Sequence, residues 1–219
     1  MRCMDMNRKK IITLCLSIIL LALIGVGGTL AYLTSNTEQL NNRFTFSNGI
    51  SMQLDEDRID KNLHTVTEEN GVIAGSDKGN DYLNVLPGEV LHKDPTVTIL
   101  ANSPDCYVFV SVKNPSEELL SLNISEKWMF IDKIDDISYY VYVKDGQPES
   151  VKASKQNTRL TPVFDSVTVA NIINKDNSEL VSLSDIEVKA SAVQSKVAGE
   201  DNYDEVKAEG LGLLGYHVE

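Results

Sequence analysis

The chain has 219 residues, 32 of them acidic against 20 basic, for a net charge of −12 and a pI near 4.7. So acidic a surface repels nucleic acid and anionic membrane faces, which removes both from the expected partners. With 42% hydrophobic residues and only three cysteines, a packed core rather than a disulfide framework must hold the fold.

At the start of the chain Arg2, Arg8, Lys9 and Lys10 stand against a single acid, Asp5, and precede the apolar run Ile11 to Val26 and then Gly27-Gly28-Thr29-Leu30-Ala31. A positive end, an apolar stretch and small residues at Thr29 and Ala31 are the three parts of a secretory signal peptide, with the cut between Ala31 and Tyr32 or within about two residues of it. The competing reading is an uncleaved anchor, but the run is shorter than the ~20 apolar residues of a spanning helix. Thr13, Ser17 and Gly25 interrupt it further, and Cys15 sits inside the run, where a lipid-bearing cysteine at the cleavage point would not be. The expected mature part has 188 residues with 16 basic and 31 acidic side chains, a net of −15, and Cys106 as its one thiol. That length suits one domain, 46–219, preceded by an N-terminal segment, 32–45.

Beyond the leader the pattern is that of strands. Tyr107, Phe109 and Ser111 alternate with Val108, Val110 and Val112, and Thr96 to Ile99 alternates in the same way. Further β-rich runs cover Ile50 to Leu54, Trp128 to Ile131, Ser138 to Val143, Val163 to Ala170 and Ile186 to Val193. Asp145-Gly146 after Tyr139 to Val143 is a turn signal, and Cys106, opening an apolar strand, reads as a buried thiol. Seven or more short strands without long helical patterns predict an all-β fold, a jelly-roll-like antiparallel β-sandwich with long loops. Asp57 to Asp81, polar and holding Gly71, Gly75 and Gly79, reads as a long flexible loop. A late helix over Tyr203 to Leu214 is weakened by Gly210 and Gly212.

Catalytic patterns are not found. There is no H-E-x-x-H, and His64, His92 and His217 are widely spaced in polar or terminal contexts, which predicts solvent-facing side chains. Asp55 to Asp60 has two acids at calcium-loop spacing, but Ile59 and Asp60 stand where an oxygen ligand and a glycine belong, so it reads as a solvated acidic turn. No G-x-S-x-G or nucleotide-binding glycine pattern occurs. No catalytic residue, metal ligand or cofactor is therefore assigned.

A set of segments does resemble a known family. Gly27 to Tyr32 is similar to the leader end handled by SipW-type signal peptidases of Gram-positive bacteria. Asn42-Arg43-Phe44-Thr45-Phe46-Ser47-Asn48-Gly49 leading into a strand, Leu86-Pro87-Gly88-Glu89 with Lys93-Asp94 four residues on, Asn102-Ser103 before the long strand and, more loosely, Ile186 to Gln194 resemble the TasA/camelysin family in order and spacing. The resemblance implies a secreted or cell-surface protein that self-assembles into biofilm-matrix fibres, with a SipW-type peptidase and an accessory anchor protein as partners. In such fibres the mature N-terminal segment of one subunit completes the sheet of its neighbour, which makes Tyr32 to Leu40 the candidate donor strand, with Tyr32, Leu33 and Leu40 as its apolar residues. Two other classes stay open. One is a casein-cleaving metallopeptidase, as camelysins are described, although the chain lacks a recognisable zinc-ligand cluster. The other is a monomeric adhesin using its loops. Independently of any family, Pro87 presets φ and Gly88 accepts a positive φ, so Leu86 to Glu89 is a tight turn between strands.

Overall fold

The computed structural model describes residues 34–37, 49–171, 183–197, 200–201 and 203–217. The expected all-β, sandwich-like architecture is present. In chain order the strands are β1 Thr34–Thr37, β2 Met52–Asp57, β3 Glu68–Glu69, β4 Val72–Ile73, β5 Gly75–Ser76, β6 Val90–His92, β7 Thr96–Ile99, β8 Cys106–Lys113 and β9 Leu120–Ile124. Then follow β10 Trp128–Ile134, β11 Ile137–Lys144, β12 Gln147–Pro148, β13 Thr158–Arg159, β14 Phe164–Val169, β15 Glu187–Gln194, β16 Lys196–Val197, β17 Glu200–Asp201 and the helix α1 Tyr203–Leu213. None of the helices among the described residues is long and apolar enough to cross a membrane.

The largest sheet runs β1-β15-β8-β11-β10, with β12 paired to the end of β11. Two smaller sheets, β13-β7-β2-β5 and β6-β14-β9, face it, and every pairing is antiparallel. The period-two pattern of β8 divides its side chains between two cores. Val108, Val110 and Val112, with Val188, Ala190 and Ala192 of β15, meet Ile50, Met52, Val97, Phe164 and Val167 of the opposing sheets. Tyr107 and Phe109, with Tyr139, Val141 and Val143 of β11, face the other way onto Val206, Leu211 and Leu214. Lys113, the last residue of β8, is half-buried and its Nζ lies 3.7 Å from Glu187 Oε1. Each fully buried valine contributes roughly 1.5–3 kcal/mol by leaving water.

The helix therefore packs on the outer face of the large sheet, and Gly210, expected to weaken it, is what allows the approach. A Cβ at Gly210 would stand 2.4 Å from Cδ2 of Phe109, whereas Gly212 opens onto free space. The helix ends in a Schellman arrangement: Gly215, with φ +83°, donates to Gly212 O at 3.0 Å and Tyr216 N donates to Leu211 O at 3.0 Å. Tyr216 then lies edge-on to Tyr139 with ring centroids 5.0 Å apart and donates its hydroxyl to Asp132 Oδ2 at 2.7 Å.

The Asp57 to Asp81 stretch is not a featureless loop. Ile59 bridges Val66, β3 pairs with β4, and β5 adds to the edge of β2. Asn80 ties the stretch to β2: its Oδ1 accepts from Ile59 N at 2.9 Å and its Nδ2 donates to Asp57 O at 2.8 Å. The pairings are one or two residues long, too short to leave a periodic pattern in so polar a segment. Cys106 is buried as expected, and burial pushes its thiol up to about 12.

Candidate functional site

Two places in the fold carry more than packing. The first is the outer edge of β15. Thr34 to Thr37 lie antiparallel along it, with Thr34 opposite Val193, Ser35 opposite Ala192, Asn36 opposite Ser191 and Thr37 opposite Ala190. β15 is also paired along its full length to β8, Glu187 opposite Lys113 through Gln194 opposite Cys106. Its inner neighbour thus comes from the middle of the chain and its outer neighbour from the N-terminal segment. Of the expected donor-strand residues, Tyr32, Leu33 and Leu40 lie outside the described residues, as does the expected cleavage position at Ala31.

The second place is a corner where the ends of β2 and β6 meet, and it overturns two expectations. Asp55 to Asp60 is not a solvated turn, because its first three residues end β2 and the Glu56 carboxyl is fully buried. Glu56 Oε2 is 2.7 Å from Lys93 Nζ, itself only 10% exposed, and Glu56 Oε1 accepts from Asn80 Nδ2 at 2.8 Å. Strand alternation turns Glu56 inward with Met52 and Leu54, and only an ion pair makes that position tolerable. Tyr82 closes this side by donating its hydroxyl to His92 O at 2.6 Å, and burial pushes its phenol well above the ordinary range.

His92 is not a free surface histidine either. Its Nε2 is buried and without a hydrogen bond, 3.3 Å from Asp57 Oδ2 and 3.5 Å from Asp94 Oδ1. The other oxygens of the same two carboxylates face Arg159, whose guanidinium is 3.9 Å from Asp57 Oδ1 and 3.5 Å from Asp94 Oδ2. Asp94 Oδ1 also accepts from Asp57 N at 2.7 Å. Burial pushes the Asp94 carboxyl up, against the lowering effect of that N–H. Nearby Asp55 is likewise raised by burial, with Arg159 opposing.

The Leu86 to Glu89 turn forms as expected. Glu89 N donates to Leu86 O at 3.1 Å, Gly88 has φ +80°, and Pro87 occupies the preceding position. It carries an addition that its sequence did not signal. Glu89 folds back so that Oε2 accepts from Leu86 N at 2.9 Å while Oε1 lies 2.6 Å from His64 Nδ1. His64 Nε2 is 2.8 Å from Leu83 O, so both ring nitrogens face acceptors and the imidazolium is the form held. His64 too is therefore clamped, not solvent-facing.

Sequence reasoning missed the β2/β6 corner because its members are separated by long intervals: Asp57 and His92 by 35 positions and Arg159 by a further 67. The one available signal was His92-Lys93-Asp94, whose alternation puts His92 and Asp94 on one side of the chain and Lys93 on the other. Comparisons with family profiles, with curated proteins and with solved structures return no match.

Proposed function

We propose that this chain is an exported structural protein, a subunit of extracellular fibres of the TasA/camelysin kind, assembling by donation of its N-terminal strand to a neighbouring copy. The observation that carries the reading is the pairing of Thr34 to Thr37 with the outer edge of β15. Such pairing is made by main-chain N–H and C=O groups, so the same segment of another copy satisfies that edge equally well. Donation of this segment head-to-tail from each copy to the next is heterologous, and where the rotation does not close, it propagates into a filament.

The rest of the fold supports the reading because β1 lies at the end of the strand order, while β15 is held along its full length by β8. A subunit whose edge strand is replaced by a neighbour's keeps the pairing of β15 to β8. The acidic surface, at −15 for the expected mature part, suits a protein that stays soluble until its edges are joined. Export through the leader and a SipW-type peptidase would act as the switch, freeing Tyr32 and the residues after it.

Electron microscopy of the secreted protein, with and without residues 32–41, tests this. The complete mature form is expected to polymerise, and the truncated form to stay a folded monomer. Replacing Leu33 and Leu40 with Asp is expected to give nearly the same result. Fibres growing at the normal rate from the truncated protein would overturn strand donation, and a complete mature form that stays monomeric would favour the adhesin.

A further inference from the structure

The corner formed by Asp57, His92 and Asp94 has the geometry of a metal centre. One ligand atom from each residue lies within 4.8 Å of the other two, the only such group among the described residues. The separations within it are informative. A zinc ion bonded at about 2.0–2.1 Å to tetrahedral ligands holds those ligands about 3.4 Å from one another. His92 Nε2 stands 3.3 Å and 3.5 Å from its two carboxylate oxygens, on either side of that figure. Direct N–H···O bonds are shorter, about 2.7–3.2 Å, and this nitrogen makes none although it is buried from water. A buried ring nitrogen aimed between two carboxylate oxygens, at the span of a coordination edge, is an atom placed for an ion.

The surroundings match that role. The Asp94 side chain is 8% exposed and the Asp57 side chain 17%, so both are held by the fold, not waving in solvent. Each presents one oxygen to His92 and the other to Arg159, an outer partner that fixes the planes of both carboxylates. Asp94 Oδ1 is oriented further by Asp57 N at 2.7 Å. The donors come from the end of β2, the end of β6 and the start of the β6–β7 connection, so one ion would join the two small sheets at their shared corner.

We propose that Asp57, His92 and Asp94 form a binding site for a divalent transition ion, with Zn2+ as the fitting occupant and water in the fourth position. One imidazole and two carboxylates suit zinc and its neighbours. Calcium, which takes six to eight oxygens, finds too few here. The site pins two sheets together, and its effect is on stability.

The test is calorimetric titration of the full-length chain, stripped with a chelator, with ZnCl2 and separately with CaCl2, alongside thermal unfolding followed by Trp128 fluorescence. The expected result is one Zn2+ per chain, a rise in Tm with Zn2+ and none with Ca2+. His92→Ala is expected to weaken Zn2+ binding by more than the ten- to hundred-fold that loss of an outer partner costs. Asp57→Asn should weaken it too, while His64→Gln and His217→Gln should leave it unchanged. Co2+ in place of Zn2+ should give the visible absorption of a four-coordinate site, absent in His92→Ala. Circular dichroism of each variant establishes that it is folded, and if His92→Ala is not, His92→Gln replaces it. A wild-type chain that binds no Zn2+, or folded His92 and Asp57 variants that bind it as tightly, would overturn the proposal and leave His92 as the ion-pair partner of two aspartates.

Discussion

Glu56 and Lys93 show how much one buried pair can demand of its surroundings. The carboxyl is fully enclosed, with Lys93 Nζ at 2.7 Å and Asn80 Nδ2 at 2.8 Å as its partners. Removing one member strands the other's charge in the core, which costs about 3–5 kcal/mol, whereas replacing both with apolar groups of similar volume is often neutral. Urea unfolding of Lys93→Met should therefore show a loss of that size, and the double variant Glu56→Met with Lys93→Met should recover most of it. A single variant as stable as the parent would show that the pair is not buried as described. His64 makes a different prediction. Its hydrogen bond to Glu89 raises it above its ordinary 6.5, with further help from Leu83 O and Asp60, while the N–H of Leu86 and then His64 hold Glu89 below its ordinary 4.5. The histidine's contribution is complete below about 6.5 and is lost as pH rises through the raised value. The glutamate's is complete above about 4.5 and is lost as pH falls through the lowered one. The clamp is thus strongest between those two values. The Tm difference between the parent and His64→Gln should be larger at pH 5.5 than at pH 8.5, and an equal difference at both would rule the clamp out.

At the scale of elements, the helix α1 sets intrinsic preference against packing. By propensity alone, Gly210→Ala and Gly212→Ala should each stabilise by about 1 kcal/mol. The surroundings separate them. At Gly212 nothing stands in the way, so that gain should be realised, but at Gly210 the new methyl meets the Phe109 ring at 2.4 Å and the helix must lift from β8. Overpacking of this kind costs about 1–3 kcal/mol, so the two substitutions should move Tm in opposite directions in a thermal melt. Two stabilising alanines would mean that the helix does not sit on Phe109. Strand β8 was readable from its alternation, yet alternation could not say that both of its faces are covered. Only the seating of Val206 and Leu211 on Tyr107 and Phe109 reveals that.

For the whole molecule, the decisive feature is that the large sheet borrows its outermost strand from a segment remote in sequence. β1 pairs with β15 and lies at the end of the strand order, so losing it opens one edge of that sheet. Deletion of residues 32–41 should leave a single cooperative unfolding transition while hydrogen exchange quickens at those amides of Ala190 to Val193 that face away from β8. Adding the segment back as a peptide should restore their protection. If exchange in β15 is unchanged by the deletion, the strand is not what covers that edge.

The sequence by itself determined the fold class, the main strands, the tight turn at Pro87-Gly88 and the burial of Cys106, because each rests on local chemistry: side-chain alternation, fixed or positive φ, an apolar neighbourhood. It also carried the resemblance that motivates the fibre reading. Tertiary structure alone decided that Glu56 turns inward to meet Lys93, that His64 grips the Glu89 turn, that Gly210 is a contact rather than a flaw, and that Asp57, His92 and Asp94 converge. Those features depend on which distant strand ends are brought to the same corner. Spacing along the chain holds no record of that when the partners are tens of residues apart and belong to different sheets.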